Sequence, residues 1–328
     1  MRNVIEAAIV TASLLLPSAA LAFDLQGHRG ARGLVPENTL EAFSTALSIG
    51  VTTLELDLAM TKDGVLVVSH DSRLNPDHTR GPDGKFLAAE GPAIRSLTLA
   101  ELQSYDVGRL KPGTSYAANF PEQRGMDGIR IPALTEVFDL VRHAKAEHVR
   151  FNIETKLTPT SGADTPDPEA FAAAMAKAVR DAGLAARVTL QSFDWRTLAA
   201  MRRIAPEIDR VCLTQDGGSG DTLARGRPGA SPWTAGLDID DFGGSAPRLV
   251  TAAGCTVWSP NYRSLTAEVQ AEASALRLLV IPWTVNERAD MVRLIQMGVS
   301  GIITDYPDRL RAVMKEKDMP LPPTVSAR

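Results

Sequence analysis

Two histidines, His28 and His70, bracket two acidic residues, Glu55 and Asp57. The acids lie in Thr53-Leu54-Glu55-Leu56-Asp57-Leu58, a segment of strict alternation. Side chains of a strand alternate between its faces, so Thr53, Glu55 and Asp57 point one way and the three leucines the other. Two carboxylates that close repel one another unless a cation or a shared proton relieves them. One reading places the pair on the wet face of an edge strand. The other makes it a site for a hard divalent metal, because carboxylate oxygens suit magnesium and calcium. Histidine, with a pKa near neutrality, suits proton transfer beside such a site.

The surrounding pattern shows what must position these groups. A short strand over 24–28 ends at His28, and a loop with glycines and Pro36 follows. Asn38 or Thr39 caps a helix over 40–49, which Gly50 closes. After the strand at 53–58, Lys62-Asp63-Gly64 makes a turn, and a further extended run over 65–69 ends at His70. Residues 72–131 break this rhythm, being rich in proline, glycine and charge. One short helix is expected there over 99–105, capped by Thr98 with Glu101 three residues on. Alternation then resumes, with strands at 150–156, 187–191, 209–213, 255–259, 278–283 and 301–304. Helices are expected at 134–148, 166–183, 194–204, 245–253, 265–275, 286–297 and 305–315, with an irregular stretch at 215–244.

Eight main strands, each followed by a helix, imply a parallel sheet. Eight such units predict an α/β fold of the closed (β/α)8 TIM-barrel type, with an insertion after the second strand. An open doubly wound sheet is the alternative. It wants a glycine-rich turn opening a helix after the first strand. Here Gly27, Gly30 and Gly33 are followed by Pro36 before any helix begins, which is not a dinucleotide fingerprint.

A barrel gathers its chemistry where strands end. His28 ends the first strand, and Glu55 and Asp57 lie towards the end of the second. On the third, Asn152, Glu154 and Lys156 share a face; Gln191 ends the fourth and Trp283 the seventh. This register favours a built site over a scatter of wet-face polar residues. Trp283 reads either as core packing or as a ligand platform. The other histidines, His78, His143 and His148, are expected on the surface, and Asp238, Asp240 and Asp241 in a solvated loop.

The chain has 328 residues, 44% of them apolar, with a formal net charge of -4. No basic field invites nucleic acid, and no run of like charge makes a polybasic membrane patch. In residues 1–22, Arg2 is partly offset by Glu6, and residues 7–22 are apolar and small, are interrupted by Pro17 and end in Ala20-Leu21-Ala22. They read as a signal peptide cut before Phe23, leaving a domain over 23–328 that is exported to a periplasm or the medium and has no membrane span. Oligomeric state leaves no mark in the sequence. The two cysteines, Cys212 and Cys255, lie in apolar strand-like segments, and two free buried thiols are expected, although an exported context permits a disulfide.

These residues resemble the glycerophosphodiester phosphodiesterase family over essentially the whole mature chain. The strongest parts are His28-Arg29-Gly30 with Pro36-Glu37-Asn38-Thr39, Glu55-Leu56-Asp57, and Asp63-Gly64 with His70-Asp71. Glu154-Thr155-Lys156, Gln191-Ser192-Phe193, Pro282-Trp283 with Asn286, and residues 301–305 support them. The resemblance implies a barrel holding one divalent metal, Ca2+ or Mg2+, on Glu55, Asp57 and Glu154. It implies an acid/base pair in His28 and His70 and phosphate contacts in Arg29 and Lys156, with Gln191 and Trp283 as further substrate contacts. Lys156 is alternatively a buried partner of Glu154. The implied substrate is a small glycerophosphodiester, split into sn-glycerol 3-phosphate and an alcohol. A lysophospholipase D-like enzyme on a larger lipid-derived substrate is the alternative, and a binding protein without catalysis a third reading. Asp71 stands next to His70 and is positioned to orient it.

The 72–131 segment departs from the family's commonest pattern after His70. It is far longer than an ordinary loop and leaves from the catalytic face, so it is expected to cap the site. Leu97, Leu99, Leu102, Tyr105, Tyr116 and Phe120 are its expected anchors, and Arg80, Lys85, Arg109 and Lys111 its candidates for meeting an anionic ligand.

Overall fold

The structure, a computed structural model, describes residues 23–326; the expected signal peptide lies outside them. The chain opens with β1 (Asp24–Gly27), α1 (Leu40–Ile49), β2 (Thr53–Met60) and β3 (Leu66–Val68). Two short helices follow, α2 (Leu99–Leu102) and α3 (Ser115–Ala118), and then α4 (Leu134–His143). Strand and helix alternate from there: β4 (Arg150–Thr155), α5 (Pro168–Asp181), β5 (Val188–Ser192), α6 (Trp195–Ile204), β6 (Asp209–Thr214) and α7 (Ala246–Ala253). The last units are β7 (Val257–Pro260), α8 (Ala267–Ala275), β8 (Leu279–Val280), α9 (Arg288–Met297), β9 (Gly301–Thr304) and α10 (Pro307–Glu316).

Eight of these strands are parallel neighbours in the order β8-β7-β6-β5-β4-β2-β1-β9. Backbone hydrogen bonds from Ser300 N to Val280 O (2.8 Å) and from Ile303 N to Pro282 O (3.0 Å) join its two ends, so the sheet wraps into the expected barrel. The short β3 is not a barrel stave: it runs antiparallel to β2, with Leu58 opposite Val68. That hairpin returns the chain to the catalytic end and delivers His70 there.

Local sequence explains the element ends. Thr39 accepts from Ala42 N at the start of α1, and Gly50, at φ 90, closes it. Asp167 caps α5 with Pro168 in its first turn, and the Thr98–Glu101 capping box starts α2 as expected. Helix α4 ends at His143, five residues before the expected boundary, because Lys145 turns to φ 52.

Alternation decides the layers. Leu54, Leu56 and Leu58 pack outward with Phe43, Leu47, Val137 and Phe151 in the main core. The barrel interior divides in two. Val211, Val257, Ile281 and Ile303 fill one side. The other side is a polar ladder. Arg150 pairs with Asp24 (2.7 Å), Gln26 donates to Asp24 (2.9 Å), and Asn152 donates to both Gln26 and Gln191 (2.9 Å each). Every buried polar group in that ladder has a partner, which is the condition for burying it at little cost.

Two expectations fail. Cys212 and Cys255 form a disulfide rather than two free thiols. Cys212 lies on β6 and Cys255 just before the neighbouring strand β7, with their Cα atoms 5.9 Å apart, a normal span for the bond. His78 is not a surface residue: its side chain is 15% exposed, behind Asp71. His143 and His148 are exposed as expected.

The 72–131 segment carries a small apolar cluster of Leu74, Ile94, Leu102, Val107, Ile129 and Ile131, built on Ala59 of β2 and Val67 of β3. Three of its four candidate bases are spent within the segment. Arg80 pairs with Asp106 (2.5 Å) and Asp127 (2.7 Å), Arg109 with Asp127 (2.6 Å), and Lys111 donates to Leu87 O. Among the described residues, no helix is long and apolar enough to cross a membrane.

Candidate active site

The site begins with the backbone after β1. A side chain at Gly30 (φ 85) would strike the α1 backbone at Ala42, 2.6 Å away, so glycine lets the loop lie flat on that helix. Arg29 is held at φ 50, a left-handed conformation that is costly for a side-chain-bearing residue. The conformation aims Arg29 N–H at Glu55 Oε2, 2.8 Å away. Its guanidinium reaches Glu37 Oε1 at 2.6 Å and lies 3.1 Å from Asp57.

Glu55, Asp57 and Glu154 come together, with one oxygen from each lying within 4.8 Å of the others. All three are buried. Gln191 Nε2 donates to the other oxygen of Glu55 at 2.6 Å, Asn38 Nδ2 to Asp57 at 2.9 Å, and Lys156 Nζ to Glu154 at 2.9 Å. Burial, reinforced by Asp57, pushes the Glu55 carboxyl well above its ordinary range. Burial likewise raises Glu154 to about 7 despite Lys156. Asp57 is held low: burial opposes this, but Arg29, His70 and Lys156 outweigh it. Asp57 Oδ1 and Arg29 Nε are buried without a hydrogen-bond partner. A buried carboxylate oxygen that accepts no hydrogen bond, on one of three carboxylates held this close, suits a hard divalent cation, and the residues fit one.

Two imidazoles flank the acids. His28 Nδ1 lies 2.6 Å from Asp305 Oδ1, and its Nε2 is 3.9 Å from Glu55. His70 Nδ1 lies 2.8 Å from Asp71 Oδ1. Burial pushes Asp305 and Asp71 up, but their cationic and hydrogen-bonding neighbours hold both far below the usual carboxylate range. Both are therefore acceptors only, so each neutral imidazole carries its proton on Nδ1 and presents a free Nε2 lone pair. Burial lowers both histidines to about 4, aided at His28 by Arg32 and at His70 by Arg29 and Lys156, while the two aspartates pull upward.

A cleft of about 560 Å³ opens beside His70, Glu154 and Lys156 and is walled by Phe193 and Trp233. Trp233, Phe193 and Trp283 form an edge-to-face row, with ring centroids 6.5 and 5.3 Å apart, and Lys156 Nζ stands 5.8 Å from the Phe193 centroid. Such a wall gives an organic group a rigid apolar surface beside a charged centre.

The expected residues His28, His70, Arg29, Lys156, Glu55, Asp57 and Glu154 thus converge. Trp283 is half-buried on the rim of the aromatic row, with its Nε1–H spent on Ser259 O (2.9 Å). Gln191 is fully buried behind Glu55, so it orients that carboxylate and does not face the cleft. The two readings of Lys156 are compatible, because it pairs with Glu154 and borders the cleft. Sequence reasoning missed Asp305, Asn38, Glu37 and Arg32. Asp305, Asn38 and Glu37 had a signal, since all three lie in segments that carried the family resemblance.

The chain is similar to known proteins in sequence and in fold. A glycerophosphodiester phosphodiesterase of Bacillus subtilis is 30% identical over 290 residues, covering 88% of this chain and 85% of its own length. A crystal structure from Silicibacter pomeroyi, named for the same family, is 36% identical, covers 91% of this chain and 95% of its own, and superimposes with a TM-score of 0.79. An Oleispira antarctica phosphodiesterase, solved in complex with the product sn-glycerol-3-phosphate, shares the fold at 20% identity and a TM-score of 0.62, covering 88% of this chain and 96% of its own. The sequence profile of the glycerophosphoryl diester phosphodiesterase family matches residues 28–309, and the chain belongs to that family.

Proposed function

We propose that this chain hydrolyses glycerophosphodiesters to sn-glycerol 3-phosphate and an alcohol by two-histidine general acid/base catalysis at a divalent cation, Ca2+ or Mg2+. Glu55, Asp57 and Glu154 would hold the cation. One observation carries the reading: two imidazoles, each fixed at Nδ1 by a carboxylate, flank three carboxylates that include an unpartnered oxygen on Asp57. When bound, the cation supplies charge neutralisation at the phosphate oxygens.

The protein's own groups account for the rest. Arg29 and Lys156, each beside a different oxygen of Asp57, bind and orient the phosphodiester anion. One imidazole takes the proton of the oxygen nucleophile at Nε2 as the new P–O bond forms. The other imidazolium gives its Nε2 proton to the alkoxide as the old P–O bond breaks. The substrate's negative charge raises the pKa of the imidazoles beside it, which opposes the depression that burial imposes. Gln191 serves as a positioning group for Glu55. Trp233 and Phe193 wall the site and limit water, with Trp283 packed behind Phe193.

Export to an oxidising compartment, after cleavage of residues 1–22, belongs to the same proposal. The Cys212–Cys255 disulfide supports it, because such bonds persist outside the reducing cytosol. Residues 72–131 act as a cap that sets substrate size, a role supported by the docking of their 114–124 stretch on the loop after β1.

The test is turnover of glycerophosphocholine, with coupled detection of glycerol 3-phosphate, before and after chelation. Activity should vanish on chelation and return with added Ca2+ or Mg2+. Full activity after exhaustive chelation overturns the cation.

A further inference from the structure

Asp71 uses both of its oxygens. Oδ1 faces His70 Nδ1 at 2.8 Å. Oδ2 accepts from Asn75 Nδ2 at 2.7 Å and faces His78 Nε2 at 3.6 Å. The carboxylate is therefore sandwiched between two imidazoles, His70 at the end of the β2–β3 hairpin and His78 on the segment after it. At 3.6 Å the outer contact is an ion-pair distance rather than a hydrogen bond, so it acts through charge.

His78 is built into this place. The Asn75 side chain closes a tight turn by accepting from Asp77 N (2.9 Å), and His78 N turns back to Asn75 O (3.3 Å). The ring packs at a tilt against Tyr116, centroid to centroid 5.7 Å. Charged and titratable groups face it from each neighbouring element: Asp71 from the loop after β3, Glu37 and Arg29 from the loop after β1, and Tyr116 from α3. Burial disfavours its protonation and Arg29 opposes it, but Asp71 and Glu37 prevail and its pKa is raised. The raised pKa favours a protonated imidazole behind Asp71, and the roles of His28 and His70 as acid and base make no use of it.

We propose that His78 is a positioning residue that sets the basicity of His70 through Asp71. The inference rests on the reading of His70 as half of the acid/base pair. A positive charge on Oδ2 draws the carboxylate's charge away from Oδ1, so His70 is held in place but gains less basicity than an unopposed aspartate would confer. Residue 78 comes from the segment that departs from the family's usual pattern, so that segment contributes to chemistry as well as to access.

The experiment compares His78→Gln, His78→Ala and His70→Ala with the parent enzyme over a full pH profile of kcat and KM. Glutamine keeps a polar contact and removes the charge. In both His78 variants the limb of the kcat/KM profile that reports His70 should move to higher pH by about half a unit or more, whichever proton-transfer role His70 has. KM should be little changed, and His78→Gln, which keeps a polar group beside Asp71, should keep more of the parent's kcat than His78→Ala does. A purely structural histidine would lower Tm and leave both limbs in place; unmoved limbs, or a shift to lower pH, overturn the proposal. The His70→Ala arm separates the two failures. Substantial activity there would sink the acid/base reading itself, whereas a dead His70→Ala beside an unshifted His78→Gln would sink only the role of His78.

Discussion

His28 and Asp305 stand 277 residues apart in the chain and 2.6 Å apart in space. Asp305 follows the last barrel strand and His28 the first, and barrel closure brings β9 beside β1, with Gly27 opposite Thr304. Arg32 Nε and Nη2, at 2.9 and 3.1 Å, and Asn286 Nδ2, at 2.7 Å, pin the same carboxylate. Asp305→Asn removes the acceptor that holds the His28 proton on Nδ1. kcat should fall by about 10²–10⁴-fold, the range for disabling a general acid or base. A steady-state assay on protein shown to be folded checks this. A variant keeping a tenth of parental kcat would mean that the tautomer is fixed by something else.

What the sequence made legible follows physical range. Alternation in 53–58 and the strand–helix rhythm are local signals, and they located the barrel, the acidic pair and both histidines. Asp305 escaped as a site residue because its role exists only once β9 closes on β1. Gln191 looked like a strand-end contact because parity gives a face and not a depth. Cys212 and Cys255 read as inert because apolar flanks say nothing about Cα separation. His78 looked exposed because a loop rich in proline and charge usually is; here Asp71 and Tyr116 bury it.

Cation binding should be visible without turnover. Glu154 is raised to about 7, above its ordinary value of 4.5, so the folded protein binds a proton there that the unfolded chain has released. The sign follows: with the cation chelated, this carboxyl makes folding stability fall as pH rises from about 4.5 to about 7. A bound cation replaces that proton, so added Ca2+ or Mg2+ should raise Tm more at about pH 8 than at about pH 5. Thermal melts of chelated and cation-loaded protein at the two pH values measure it. Glu55→Gln should abolish both turnover and the cation-dependent rise in Tm. An equal rise in that variant would place the cation elsewhere.

Reduction of the disulfide should destabilise the barrel without touching the chemistry. The bond closes a loop of sequence separation 43, and a native crosslink of this kind contributes about 2–4 kcal/mol. Cys212→Ala with Cys255→Ala should show that loss in urea unfolding and keep its kcat in the cold. Addition of a reductant should shift the parent's midpoint and leave the double variant's unmoved. An identical shift in both would mean that the reductant acts by another route.

Tyr116 gives the cleanest probe of how the 72–131 segment reaches the phosphate site. Its hydroxyl donates to Glu37 Oε2, while Arg29 Nη1 donates to Glu37 Oε1 at 2.6 Å. Burial pushes Glu37 up, but Arg29 and Arg32 hold it at about 2, so it stays an anion and a firm acceptor. Around this contact, Arg32 lies over the Phe120 ring at 4.6 Å, Gln123 Nε2 donates to Arg32 O at 2.7 Å, and Arg124 N donates to Leu34 O at 2.8 Å. The segment therefore grips the same loop that aims Arg29. Tyr116→Phe keeps the ring and removes one hydrogen bond to a charged group, worth about 1.5 kcal/mol, so KM should rise by about tenfold with a smaller change in kcat. Replacing residues 75–128 with a short Gly-Ser linker goes further. It removes Ile94, Leu102 and Val107 from the cluster over Ala59 and Val67, so Tm should fall, and folding must be confirmed first by circular dichroism. In the folded variant, discrimination between glycerophosphocholine and a bulkier diester should shrink. If both variants keep the parent's KM and the parent's preference, the segment neither steadies Arg29 nor caps the site.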